Sequence, residues 1–273
     1  MDKVSVCIPT YNNELTIKDT INSIIAQSYT NLEIIISDDA SVDNTVQIIK
    51  EFKDKRIKLF INKTNFGMPE NWNQSIKYAK GKYIKLICAD DILMPNAIHE
   101  EIKAFSNNPK AELVVSNTNL IDENNQIIGH YHRWPKQGLN NGKILARLSL
   151  LINNFFGAPC NALFKQKTAI KSGLFNCNFK LIPDFEMWTK LAIQGDVVII
   201  NKYLNSFKIR KNSNTDKFIS NKDFRFRYNK EHKNLIEKYS NELKISYYEK
   251  VISLAFRIIK NHLIKKYISY KKI

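Results

Sequence analysis

Short apolar runs alternate with helical stripes along the first 117 residues. The first run covers 4–8 (VSVCI) and ends at Pro9. Leu15, Ile17, Ile21, Ile24 and Ile25 then fall on one face of a helix spanning 15–26. A second apolar run covers 32–36 and is followed by Ser41 and Asp43, N-cap residue types for a helix over 44–52. Further strands are predicted at 57–61, 82–88 and 112–116. Between them, Pro69 suits the first turn of a helix reaching 79, and Pro95 opens another that ends near Asn107. Strict β-α-β-α alternation of this kind specifies a parallel sheet with helices on both faces.

After residue 117 the rhythm breaks. The stretch 122–125 (DENN) reads as a turn between short strands, 143–152 as a helix and 161–164 as a strand. A helix over 183–193 and a strand over 197–200 follow. We therefore expect a first half of nucleotide-binding type (1–117), a mixed second half (118–215) and a helical extension (216–273).

Charge separates the extension from the rest. The chain carries a net +16, and residues 202–273 hold 19 lysines and arginines against 6 acids. That region either faces something anionic or is a solvated helical surface. Tyr248, Ile252, Ala255, Phe256, Ile259, Leu263 and Tyr267 form one apolar stripe in it. Such a basic amphipathic helix suits an anionic membrane surface, or else it packs on the catalytic domain. No stretch approaches the ~18–20 apolar residues of a membrane span. The N-terminus lacks a signal-peptide pattern, and the four cysteines lack metal-like spacing. The expectation is a cytoplasmic protein, peripheral on the inner face of the membrane if the extension binds there.

Three acidic clusters change the picture most. Asp38-Asp39 closes one predicted strand and Asp90-Asp91 another, while Asp184 and Glu186 open the helix IPDFEMW. Carboxylates at the carboxyl ends of buried strands are costly unless they bind something, and that edge is where open α/β sheets hold ligands.

The series Pro9-Thr10-Tyr11-Asn12, Asp38-Asp39-Ala40-Ser41-Val42-Asp43-Asn44-Thr45, Ala79-Lys80-Gly81-Lys82-Tyr83-Ile84 and Asp90-Asp91-Ile92-Leu93-Met94-Pro95 resembles the family 2 glycosyltransferases of the GT-A fold. The resemblance runs over about residues 3–215. It implies an α/β architecture: a Rossmann-like, mostly parallel sheet flanked by helices, with a mixed acceptor-side half (118–215); the C-terminal helical tail lies outside the resemblance. It also implies a UDP-type nucleotide-sugar donor, a glycan or lipid-linked glycan acceptor, and Mn²⁺ or Mg²⁺.

By the same resemblance, Asp39 accepts the uracil N3–H, Tyr11 packs on the base, and Pro9 and Thr10 lie beside them. Asp90 meets the ribose and Asp91 the metal, while Asn65 and Asn73 contact the donor. Asp184 is the general base, with Glu186 and Trp188 on the acceptor side. His130, His132, Arg133 and Trp134 are further candidates for that side. Gly157-Ala158-Pro159-Cys160 resembles the loop beneath the donor sugar. Arg210 stands where many relatives carry a histidine; arginine cannot ligate a metal but binds diphosphate well. The QxxRW signature of processive synthases is absent from these residues, which argues for one sugar per encounter.

Three other functions are compatible with parts of this pattern. A glycoside hydrolase also uses paired carboxylates but needs no base-binding Asp39. A sugar nucleotidyltransferase carries a Gly-rich, Arg/Lys-bearing loop where this chain has PTYNNE. A membrane or nucleic-acid adaptor would use the basic extension, but acidic clusters at the sheet edge oppose phosphate-backbone binding, so no nucleic-acid partner is expected.

Overall fold

A computed structural model describes residues 1–132, 137–210 and 221–257. One ten-stranded sheet runs through the molecule in the order β3-β2-β1-β4-β9-β6-β10-β5, with β7 beside β6 and β8 beside β10. β1 (Val4–Thr10), β2 (Leu32–Asp38), β3 (Ile57–Ile61) and β4 (Tyr83–Leu86) are parallel. β9 (Ala162–Lys165) joins β4 to β6 (Ala111–Ile121), antiparallel to both. β10 (Asp196–Lys208) returns parallel to β6, and β5 (Ile92–Leu93) pairs antiparallel with it. The short strands β7 (Ile127–Tyr131) and β8 (Gly138–Asn140) complete the sheet.

Two apolar layers enclose it. On one face lie α1 (Ile17–Ile25), α2 (Thr45–Glu51) and α4 (Ala97–Asn107), contributing Ile17, Ile21, Ile49, Ile98 and Phe105. On the other lie α3 (Met68–Tyr78), α5 (Gly142–Leu151), the short α6 (Gln166–Lys171) and α7 (Pro183–Gln194). The parallel strands β1 and β2 are buried at every position, which is why they read as unbroken apolar runs.

The structure departs from the sequence expectation in length and in division. β6 and β10 are 11 and 13 residues long and pair with each other along most of that length. Their second halves carry Asn117, Thr118, Asn119, Asn205 and Ser206, polar residues that break the apolar run but stay buried. The boundary expected at 117 falls inside β6. The C-terminal region is also part of the core. α8 (Lys222–Tyr239) buries Leu235, Ile236 and Tyr239, and Leu243 and Ile245 follow them into the same layer. A last helix, α9, occupies 247–257. Arg133 and Trp134, and Ile259, Leu263 and Tyr267 of the expected stripe, lie outside the described residues.

Candidate active site

β1 and β2 end in register, Thr10 opposite Asp38, so the loops after them open side by side at the carboxyl edge of the sheet. A cleft of about 800 Å³ lies there. At its first end sit Pro9, Thr10, Tyr11, Asp39 and Asn65. Asp39 is buried and held by three donors: Asn62 Nδ2 and the Phe66 N–H reach Oδ1, and the Gly67 N–H reaches Oδ2, each at 2.9 Å. Gly67 has φ 84°, a left-handed conformation that glycine adopts without a Cβ penalty, and it lets the loop close over the carboxylate. Asn65 supports the same turn, its Oδ1 accepting from the Gly67 N–H at 3.0 Å. Asp38 plays a different part: its carboxylate accepts from the Ser41 N–H and hydroxyl and shapes the turn into α2. Tyr11 is half exposed on the cleft wall.

Further along, Asp90 lines the cleft and pairs with Arg210 at 2.9 Å. Burial pushes the Asp90 carboxyl up, against the Arg210 charge. Asp91 is fully buried and does not line the cleft. Its Oδ1 accepts from the Lys208 N–H at 3.1 Å, tying the turn after β4 to β10. Its Oδ2 has no hydrogen-bond partner among the described residues. Burial and the neighbouring Asp90 charge hold its carboxyl well above the usual range. Ligand atoms of Cys88, Asp90 and Asp91 all lie within 4.8 Å of one another. The unpartnered Asp91 oxygen behind the cleft-facing Asp90 is a donor set that fits a hard divalent cation, which prefers oxygen ligands. Cys88 competes poorly, because burial and the carboxylates keep its thiol protonated.

The far end is built from distant segments. Asp184 stands in the first turn of α7, directly after Pro183, and lines the cleft. Burial raises its carboxyl to about 6, against the Phe185 and Asp184 backbone N–H groups. Around it are Tyr131, Asn153, Leu181, Phe224 and Tyr228. Gly157, Ala158 and Pro159, here called its floor, also line the cleft.

Three residues expected at the site are elsewhere. Asn73 faces away from the cleft and clamps the loop after α6, exchanging two 2.9 Å hydrogen bonds with the Phe175 backbone. Glu186 is fully buried on the opposite side of α7 from Asp184. It pairs with Lys238 at 2.6 Å and Lys190 at 3.3 Å and accepts from the Tyr239 hydroxyl at 2.7 Å. It anchors α8 rather than facing an acceptor. Trp188 is fully buried against Phe164 and Phe175. Its indole N–H donates to Gly157 O at 3.1 Å, so it supports the floor from beneath without touching the cleft. His130 and His132 are also off the cleft wall, bonded to Asn119 and Tyr203.

Other wall residues escaped the sequence reading. Phe224 and Tyr228 had a signal, since they sit four apart on one face of an otherwise charged helix. Asn153 and Tyr131 had none, because only the tertiary arrangement brings their loops to the cleft.

A mostly parallel α/β sheet with a mixed second half, and carboxylates gathered in one cleft at its carboxyl edge, define a glycosyltransferase of the GT-A fold. The model of the family described as Glycosyl transferase family 2 matches residues 5–173, and the chain belongs to that family. It is 30% identical over 198 residues to the Escherichia coli UDP-Glc:alpha-D-GlcNAc-diphosphoundecaprenol beta-1,3-glucosyltransferase WfgD, covering 72% of this chain and 73% of that protein. The E. coli enzyme WfaP, with the same described activity, is 31% identical over 71% of this chain and 72% of its own length. Among solved structures, S. aureus TarS in complex with UDP-GlcNAc superposes with TM-score 0.71 at 18% identity, covering 96% of this chain and 72% of that one.

Proposed function

We propose that the protein is an inverting, non-processive glycosyltransferase. It transfers one sugar from a UDP-sugar to a glycan or lipid-linked glycan acceptor, as a step of surface-polysaccharide synthesis in the cytoplasm. The observation that carries this reading is one cleft lined by Asp39, Asp90 and Asp184, in which burial raises the Asp184 carboxyl to about 6. The related E. coli enzymes are described as using UDP-Glc and a diphosphoundecaprenol-linked GlcNAc, which supports the donor and acceptor classes.

In this reading Tyr11 packs on the uracil, and an Asp39 oxygen accepts the base N3–H alongside its loop donors. An ionised acceptor makes this bond strong and disfavours cytosine, whose N3 is itself an acceptor. Arg210 leaves Asp90 for the incoming diphosphate. Asp184 takes the proton of the acceptor hydroxyl as that oxygen attacks the anomeric carbon. The new C–O bond forms as the bond to the diphosphate oxygen breaks and UDP departs with the electron pair. A carboxyl near 6 is mostly ionised at neutral pH yet basic enough to accept the proton.

Asp90, facing the donor, is the better candidate for a divalent cation than the buried Asp91, whose free oxygen would complete the site from behind. Such a cation would neutralise charge on the leaving diphosphate. Glu186 and Trp188 take supporting roles here, and Asn73 has no donor role.

The test measures UDP release over a panel of nucleotide sugars, with product configuration read by NMR. We expect turnover with one UDP-sugar, an inverted anomeric centre and single-sugar products. Retained configuration, or release from a non-uridine donor alone, overturns the reading.

A further inference from the structure

The last described helix is inside out. α9 turns its polar residues toward the protein: Ser253 Oγ donates to Leu151 O at 2.8 Å and Arg257 Nη2 to Leu150 O at 2.9 Å. Glu249 pairs with Arg147, and Lys250 meets Glu237 at 2.7 Å. Its apolar residues face outward. Tyr247 is 74% exposed, Tyr248 78% and Ile252 66%, and Val251, Leu254 and Phe256 are exposed as well. A surface helix of a globular protein ordinarily shows the reverse arrangement. A contiguous face of this kind marks an interaction site.

Charge says what covers it. On α8, which α9 meets through the Lys250–Glu237 pair, Lys222, Phe226, Lys230 and Lys233 follow one another at helical spacing, all exposed, with Phe226 at 71%. The sequence after 257 adds Lys260, Lys265, Lys266, Lys271 and Lys272 and no acid. Isologous pairing of two copies would bring two such basic regions together, which like-charge repulsion opposes. Exposed tyrosine, isoleucine and phenylalanine interleaved with lysine is the composition that an anionic membrane interface accepts.

Position adds a third argument. α9 rests on the last turn of α5, whose chain continues directly to Asn153 in the cleft. The Arg257 charge is felt at Tyr228, a cleft residue.

We propose that the outward face of α9 and the basic stripe of α8 dock on an anionic lipid bilayer, holding the Asp184 end of the cleft at the membrane surface. The docking stands on these observations alone; its use in receiving a lipid-linked acceptor rests on the function proposed above.

The test uses the full chain and vesicles that contain no acceptor lipid, one set zwitterionic and one containing anionic phosphatidylglycerol. We expect co-sedimentation with the anionic set only, weakened by high salt. Val251→Glu with Ile252→Glu, and separately Lys230→Glu with Lys233→Glu, should each lower binding at least ~10-fold. Both double variants should keep the wild-type thermal transition and the wild-type UDP release with a water-soluble acceptor. Four results overturn the proposal: no vesicle binding by the intact chain; unchanged binding by both variants; a dimer in light scattering that Val251→Glu with Ile252→Glu dissociates; or loss of the folded state in that variant, which would mean the chain itself covers the face. A failure of the donor reading would appear separately, as absent UDP release with vesicle binding intact.

Discussion

The two ends of the cleft hold their carboxylates in opposite ways. At the end proposed to take the donor, Asp39 receives three hydrogen bonds at 2.9 Å from a loop folded around it. Donors aimed at a carboxylate fix its direction. At the end proposed to take the acceptor, Asp184 has burial against it and only backbone N–H groups of its own helix turn in its favour, so its carboxyl rises to about 6. In the proposed function Asp184 must take up a proton, and a buried carboxyl raised to about 6 is suited to that. Both residues are aspartates near the same sheet edge, and what differs is the surroundings the fold gives each.

The strongest way to break this comparison is Asp184→Asn. We expect kcat to fall at least ~10²-fold, with UDP affinity measured by calorimetry nearly unchanged. The opposite split, UDP affinity lost and kcat intact, would move Asp184 to the donor end. The substitution should also stabilise the fold at neutral pH. The unfolded carboxyl titrates near 3.8 and the folded one near 6. Between those values the folded chain keeps a proton that the unfolded chain has released. Stability from this group therefore falls as pH rises through that window and stays lower above it. Asparagine removes that cost, about 1–3 kcal/mol, readable as a higher Tm at pH 7 that vanishes near pH 4. In the wild type, kcat should decline about tenfold per pH unit below 6, since the base must be ionised.

At the other end, Asp39→Asn sets an amide against two backbone N–H groups. UDP affinity should fall about 10- to 100-fold, with discrimination against CDP reduced. A variant that binds UDP as tightly as wild type would leave Asp39 as a loop brace alone.

Glu186 and Trp188 sharpen the comparison by having no part in either end. Glu186→Gln should destabilise the protein by about 2 kcal/mol, as Lys190 and Lys238 lose a buried partner. Turnover per folded molecule and acceptor KM should stay put; a raised acceptor KM would return Glu186 to the acceptor side. Trp188→Phe, the smallest effect, should cost about 1 kcal/mol of stability through the lost bond to Gly157 O. Denaturant titration reads both.

The first part of the cleft wall was legible because it is local. Asp38-Asp39 closes a strand, Asn65 lies in the short loop between a strand and a helix, and the strands β1 and β2 are unbroken apolar runs. Within α7, helical periodicity already separated Asp184 from Glu186, two residues and about 200° apart around the axis. Grouping them in one acidic cluster passed over that. Trp188 lies one turn beyond Asp184 on the same face, so periodicity agreed with the acceptor-side position that the family resemblance implied for it. Only the packing of α7 against β9, through Phe164, shows it beneath the floor.

The sequence by itself therefore determined the order of elements, the parallel first half and the carboxyl edge where the acids gather, because each rests on patterns within a few residues. The tertiary structure decided which acid of each pair faces the cleft. Asp90 and Asp91 are adjacent and chemically identical, yet the Lys208 N–H of a strand more than a hundred residues away turns Asp91 inward. It also decided that α8 lends Phe224 and Tyr228 to the cleft wall while α9 presents its apolar side to solvent. Periodicity fixes which residues share a helix face, but which way that face turns depends on the partners that contact order brings from elsewhere in the chain.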